Sequence, residues 1–155
     1  MKHLESKIQQ QCVAWFRAQY PQYAMLLVHP INEGSGHTDL DRRRQGIHKA
    51  EGAVAGVADL LFFMPACNHH GLGIELKAKT GRQSQDQKYW QQIFEAAGYK
   101  YCVARDFDTF RRLINDWVAS ASVSRRQKIS MAHVDIVRDR EDREKKSFYK
   151  IVNKK

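Results

Sequence analysis

Asp59, Glu75 and Lys77 are the residues whose types and spacing point to chemistry. In a strand alternate residues share a face, so Glu75 and Lys77 point one way while Ile74, Leu76 and Ala78 point the other. A glutamate and a lysine side by side on an otherwise apolar strand are costly unless that face is solvated or functional. Residues 57–64 form a nearly continuous apolar run containing Asp59, and residues 72–78 read as a second strand, with Pro, Asn and Gly between them supplying a turn. With the hairpin centred near Asn68, Asp59 and Lys77 become cross-strand neighbours. Glu75 is then the diagonal neighbour, roughly 7–8 Å away. Magnesium prefers one or two carboxylates and keeps several waters, so Asp59 and Glu75 suffice for a site, with the Leu76 carbonyl between the two side chains as a further ligand. Such an ion would polarise a phosphodiester oxygen and acidify a bound water. Lys77 would hold or help activate that water and offset charge growing on the phosphorus oxygens. The competing reading of Glu75 and Lys77 is a solvated ion pair worth ~0–1 kcal/mol. It leaves their alternation with Ile74 and Leu76, so close to Asp59, without a reason.

The elements that must position these groups follow from periodicity and punctuation. Leu4, Ile8, Val13, Trp15 and Phe16 follow a helical period over residues 3–20, which Pro21 ends. Residues 24–29 read as a short strand stopped by Pro30, residues 32–41 as a loop, and residues 40–51 as a short polar helix. Ser84 to Gln87 has the form of a capping box. The helix it opens is expected to bury Trp90, Ile93, Phe94 and Ala97, and Gly98 sits where a C-terminal glycine belongs. Residues 99–104 form a strand, and residues 106–121 a helix with Phe110, Leu113, Ile114, Trp117 and Val118 on one side. The order is that of an α/β protein with a central mixed β-sheet flanked by helices. Residues 1–119 make one domain. Residues 120–155 form a basic C-terminal extension, partly mobile by composition: from 125 onward it holds 11 basic and 5 acidic residues. Within it, residues 133–137 and 148–152 are candidates for a small hairpin.

Composition narrows the class. The chain has 155 residues, with 26 basic and 17 acidic side chains and a formal charge of +9. A polyanion is the partner such a balance favours. Three widely spaced cysteines, Cys12, Cys67 and Cys102, cannot form a secreted-type disulfide framework, and residues 1–7 show no secretory leader core. An intracellular, cytoplasmic setting is expected, and no apolar run approaches the ~18 residues that span a bilayer. Cys67-Asn68-His69-His70 has metal-ligating residue types but no second cluster to complete a zinc site, so a turn is the better reading.

The pattern Gly56-Val57-Ala58-Asp59-Leu60-Leu61, Gly73-Ile74-Glu75-Leu76-Lys77 and Gly81 to Gln87 resembles the PD-(D/E)XK nuclease superfamily, and more narrowly the VRR-NUC domain. The narrower resemblance rests on Glu5 with Ile8-Gln9, on Asn32-Glu33-Gly34, on residues 52–59 and on residues 84–90, and covers about residues 4–117. It departs from the superfamily pattern at Ala58, where a proline is expected. The resemblance implies a restriction-endonuclease-like core of α-β-β-β-α-β type, with Asp59 and Glu75 as metal ligands and Lys77 as a catalytic residue. It adds Glu5 as a further metal ligand and Gln87 as an active-site residue. Glu5 has the competing role of an early-turn acid favoured by the helix dipole. Gln87 has the competing role of closing the capping box.

Arg42, Arg43, Arg44, Lys79, Arg82 and Lys88 flank the proposed site in sequence, and phosphate contact is their expected role. The expectation is a Mg²⁺-dependent DNA endonuclease, with Mn²⁺ able to substitute. From the resemblance come a preference for branched DNA such as four-way junctions, a homodimeric state and a bacterial or phage setting. A sequence-directed or partner-dependent nuclease of the same chemistry, and a DNA-binding module without cleavage, are the alternatives.

Overall fold

The structure is a computed structural model and describes residues 2–30 and 46–152. Helix α1 (Lys2–Gln19) is followed by a 3-10 segment (Pro21–Leu26) and strand β1 (Leu27–Val28). After helical backbone over 46–50 come β2 (Leu60–Phe62), β3 (Leu72–Leu76), α2 (Gln85–Ala96), β4 (Lys100–Ala104), α3 (Phe107–Ser120) and α4 (Val123–Val152). The four strands lie in the order β1-β2-β3-β4; the first two pairings are antiparallel and β3–β4 is parallel. The sheet is therefore mixed, as the element order requires, since β3 and β4 are joined through α2.

One face of the sheet buries Leu60, Phe62, Leu72, Ile74 and Leu76 with Cys12 and Phe16 of α1 and Phe110, Ile114, Trp117 and Val118 of α3. The other face is covered by α2. There Phe94 lies so close over Gly73 that an added Cβ would meet its ring at 2.9 Å. Trp90, Phe94 and Tyr99 stack in sequence, with ring centroids 4.2 and 4.4 Å apart. This aromatic packing supports α2 from one side only. Ile93, expected in the core, is 73% exposed, and Ala97 is exposed as well.

Two further expectations are corrected. Most of residues 24–29 is not strand: Pro21 sits at the start of a 3-10 turn, where its fixed φ suits a helical entry, and Tyr23 within it is buried. Pairing with β2 is left to Leu27 and Val28 alone. The hairpin suggested for residues 133–137 and 148–152 does not form either, because both stretches lie within the continuous helix α4. Ion pairs Arg138–Asp135 and Arg143–Asp139, at i,i+3 and i,i+4 spacing, fit that helix and would be broken in a hairpin. Residues 31–45, which carry the expected loop, the start of the polar helix, and Arg42, Arg43 and Arg44, lie outside the described residues. No helix among the described residues is long and apolar enough to cross a membrane.

Candidate active site

The pairing of β2 with β3 fixes what faces Asp59. Ala66 and His69 bridge each other across a two-residue turn, whose residues Cys67 and Asn68 take φ of 49° and 63°. This is the positive-φ geometry of a tight hairpin turn. The Cys67–His70 stretch is thus a turn, as its residue types imply. Between turn and ladder the pairing steps by one residue, since Ala66↔His69 would extrapolate to Phe62↔Gly73, and the ladder runs Leu60↔Ile74, Leu61↔Gly73 and Phe62↔Leu72. Carried one step further, this register sets Asp59 beside Glu75, with Lys77 the diagonal neighbour. The sequence-based register, with Lys77 opposite, is out by two residues along one strand. An even slip keeps every side chain on its face, so the same three groups still converge.

Glu75 is the one buried charged residue among those described, at 0% exposure. Its carboxylate is surrounded by donors. Lys77 Nζ stands 2.6 Å from Oε1, and Gln87 Nε2 donates to the same oxygen. The Tyr101 hydroxyl donates to Oε2 at 3.1 Å. Burial pushes the Glu75 carboxyl above its ordinary range, the neighbouring Asp59 charge adds to that, and Lys77 opposes it. Asp59 is raised too, first by burial, while the Leu76 amide, donating to Oδ2 at 2.7 Å, and Lys77 pull it down. The Tyr101 phenol is raised by burial and by Glu75.

Helix α2 reaches this centre by its first turn. Ser84 and Gln87 form the reciprocal capping box, the Ser84 hydroxyl accepting from the Gln87 amide and Gln87 Oε1 accepting from the Ser84 amide. The two competing roles of Gln87 therefore coexist: Oε1 closes the cap while Nε2 holds Glu75. Gly56 makes this approach possible. Its φ is +82°, and a Cβ there would lie 2.3 Å from the Asp86 carbonyl oxygen. Only glycine fits where the loop leading to Asp59 crosses the start of α2. From the other side, Glu5 Oε1 accepts from the Ala78 amide at 3.0 Å, and its charge is felt by Asp59.

Several participants carry no readable sequence signal. His29, at the end of β1, holds the Asp59 carbonyl through Nδ1 at 2.8 Å. A carbonyl only accepts, so Nδ1 carries the proton. Arg105 Nη1 donates to the carbonyls of Ala78, Lys79 and Gly81, which pins the segment leaving β3. Tyr101 is reached only because β3 and β4 pair in parallel, Gly73 beside Tyr101. A cleft of about 230 Å³ opens beside the centre, lined by His29, Asp59, Ser84, Asp86 and Gln87 among others. Lys79, Arg82 and Lys88 stand exposed around the β3–α2 connection and do not line that cleft.

The donors suit a hard divalent cation. Two carboxylates meet across one strand pair, and the charge of Asp59 raises Glu75, a repulsion a cation between them would remove. The N–H and C=O of a strand residue leave the chain on the same side. The Leu76 amide points to Asp59, so its carbonyl is directed to that side too. Among the described residues no set of three or more His, Cys, Asp or Glu side chains is gathered to hold a metal.

A four-stranded mixed sheet with helices on both faces and this cluster at one strand end define a restriction-endonuclease-like α/β fold. A solved structure named "VRR_NUC domain protein" superposes with a TM-score of 0.64 at 20% identity, over 76% of this chain and 90% of that one. No family model matches the chain. No curated protein matches it either.

Proposed function

We propose that the chain is a metal-dependent DNA endonuclease of the PD-(D/E)XK type, cutting the phosphodiester backbone by hydrolysis. The observation that carries this reading is the convergence of Asp59, Glu75 and Lys77 at the open end of the β2–β3 pair, beside a cleft. The VRR-NUC fold and the net charge of +9 support it.

Asp59, Glu75 and the Leu76 carbonyl are the groups that would hold Mg²⁺, with Mn²⁺ as a substitute, and Glu5 would be a further ligand. The ion supplies Lewis-acid stabilisation of the phosphoryl oxygens and a more acidic water. Lys77 is held 2.6 Å from Glu75 and is 13% exposed, so its ammonium is fixed beside the carboxylate rather than sweeping through solvent. From there it positions the attacking water and donates to the oxygen that gains charge in the transition state. Gln87 and Tyr101 keep Glu75 in one orientation, which reduces the reorganisation needed at reaction. Arg42, Arg43, Arg44, Lys79, Arg82 and Lys88 contact flanking phosphates. The substrate class we assign is branched DNA, four-way junctions included, cut by a homodimer whose two-fold axis pairs two active sites.

The test is cleavage of labelled four-way junction, flap, nicked and linear duplex DNA in Mg²⁺, Mn²⁺ or EDTA. Cutting that requires metal and favours the junction is expected. Equal cutting of all four would remove the branched-DNA preference, and binding without cutting in either metal would leave a DNA-binding module.

A further inference from the structure

Two clefts meet at His29. One is the cleft over Asp59 and Gln87; the other, of about 470 Å³, runs along α1 and is lined by Ser6, Gln9, Gln10, Val13, Ala14 and Arg17 together with His29. The α1 residues recur at i, i+3, i+4, i+7, i+8 and i+11, a single stripe of the helix. It is not the stripe that faces the core, which buries Cys12 and Phe16. Ser6, Gln9, Gln10 and Arg17 bring hydroxyl, amide and guanidinium donors, and no carboxylate is among the described residues of the lining. Val13 and Ala14 keep the floor shallow between them.

The direction of α1 matters as much as its chemistry. Glu5 ties its first turn to Ala78 beside the catalytic lysine. The stripe then leads away from the centre. From Ser6 to Arg17 the helix rises about 16 Å, at 1.5 Å per residue, which is about five steps of a DNA strand at 3.4 Å each.

We infer that this groove is a track for the DNA strand flanking the scissile phosphate, held by Ser6, Gln9, Gln10 and Arg17 and entered past His29. The inference rests on the nuclease reading for what lies at its end. Three features select a phosphodiester backbone as occupant: donors with no carboxylate among the described lining residues, a guanidinium at the far end, and continuity with the catalytic cleft. Such side chains form most phosphate contacts and carry no base information. The track thus holds substrate without reading sequence.

The experiment measures binding of fluorescent duplex and junction DNA to the full chain in EDTA, across a salt series. Two variants of the exposed stripe are compared with wild type, Gln10→Glu/Arg17→Glu and the uncharged Gln9→Ala/Gln10→Ala. The charged pair is expected to weaken binding by about ten- to a hundredfold and to lower the log–log salt slope by about 0.9 for each phosphate no longer neutralised. The alanine pair is expected to weaken binding several-fold with the slope retained. Wild-type affinity in both variants would overturn the track, and so would a weakening confined to the charged pair, which would report long-range repulsion alone. Metal-dependent cutting by wild type alongside unaffected binding in the variants sinks the track and spares the nuclease. Weakened binding in both variants with no cutting by wild type sinks the nuclease and spares the track.

Discussion

The β2–β3 pair ends in two very different ways. At its turn, polar groups of complementary kind meet: Trp117 Nε1 donates to the Met64 carbonyl at 2.7 Å, Arg125 to the Pro65 carbonyl at 3.0 Å, and Cys67 to the Ser120 hydroxyl at 3.0 Å. At its open end, Asp59 and Glu75 are brought together as like charges, and both carboxyls are raised by burial. Among the described residues no buried side-chain nitrogen or oxygen lacks a partner, so the open end is satisfied in hydrogen bonds yet frustrated in charge. The turn end fastens α3 and α4 to the sheet. The open end holds an arrangement that folding alone would not select and that a cation would relieve.

If this division is real, damage at one end should register as stability and at the other as activity. The largest stability effect is expected from Trp117→Ala, which removes a 5%-exposed ring and its bond to Met64. It should cost about 3–5 kcal/mol, read by denaturant unfolding, while the folded fraction still cuts in metal. A folded fraction that no longer cuts would break the comparison.

Gly56→Ala comes next. Its backbone strain alone should cost about 1–3 kcal/mol. Because the loop must also retreat from Asp86 and the first turn of α2, cutting should fall by roughly 10²-fold. Chemical unfolding and single-turnover rates on the same preparation separate the two effects.

Asp59→Asn works in the opposite direction. With the folded pKa of Asp59 raised above the ordinary value, the native state binds more protons than the unfolded one between those two values. Stability from this site is therefore full below the ordinary carboxylate value of about 4 and declines as pH rises through the raised one. In EDTA at neutral pH the variant should melt above wild type, by about 2–4 °C for each kcal/mol recovered. The gap should close on acidification, and Mg²⁺ should stabilise wild type alone. Equal melting at all pH values would remove the charge frustration.

Arg143→Ala marks the lower bound. It breaks an exposed pair with Asp139 on α4 and should shift stability by less than about 0.5 kcal/mol, measured by thermal melting.

The contrast between the two ends also explains what is legible in the sequence. Alternation alone puts Glu75 and Lys77 on one face, and the apolar run around Asp59 identifies its partner strand. The register comes out two residues away because turn composition marks a region, whereas the pairing depends on where positive φ falls, at Cys67 and Asn68, and on a one-residue offset between that turn and the ladder. Gln87 is legible through its capping spacing, and its hold on Glu75 is not, since that depends on how closely α2 approaches over Gly56. His29, Tyr101 and Arg105 enter through tertiary contacts with backbone carbonyls and a buried carboxylate, which leave no local pattern. Ile93 misleads because α2 is packed by a stack of aromatic rings along one edge, so helical period overstates its buried face. Composition alone reads the charges of α4 as solvating a partly mobile segment. In the structure two pairs among them, Arg138–Asp135 and Arg143–Asp139, lie along a helix.

The most direct test of the central claim is metal-dependent cutting by wild type and Lys77→Ala under single-turnover conditions. Lys77 is on the surface side of Glu75, so its removal leaves the core intact, and melting temperatures verify that. Cutting in Mg²⁺ that EDTA stops is expected, lowered by about 10²–10³-fold in the variant while DNA binding persists. Cutting by Lys77→Ala at the wild-type rate would contradict it.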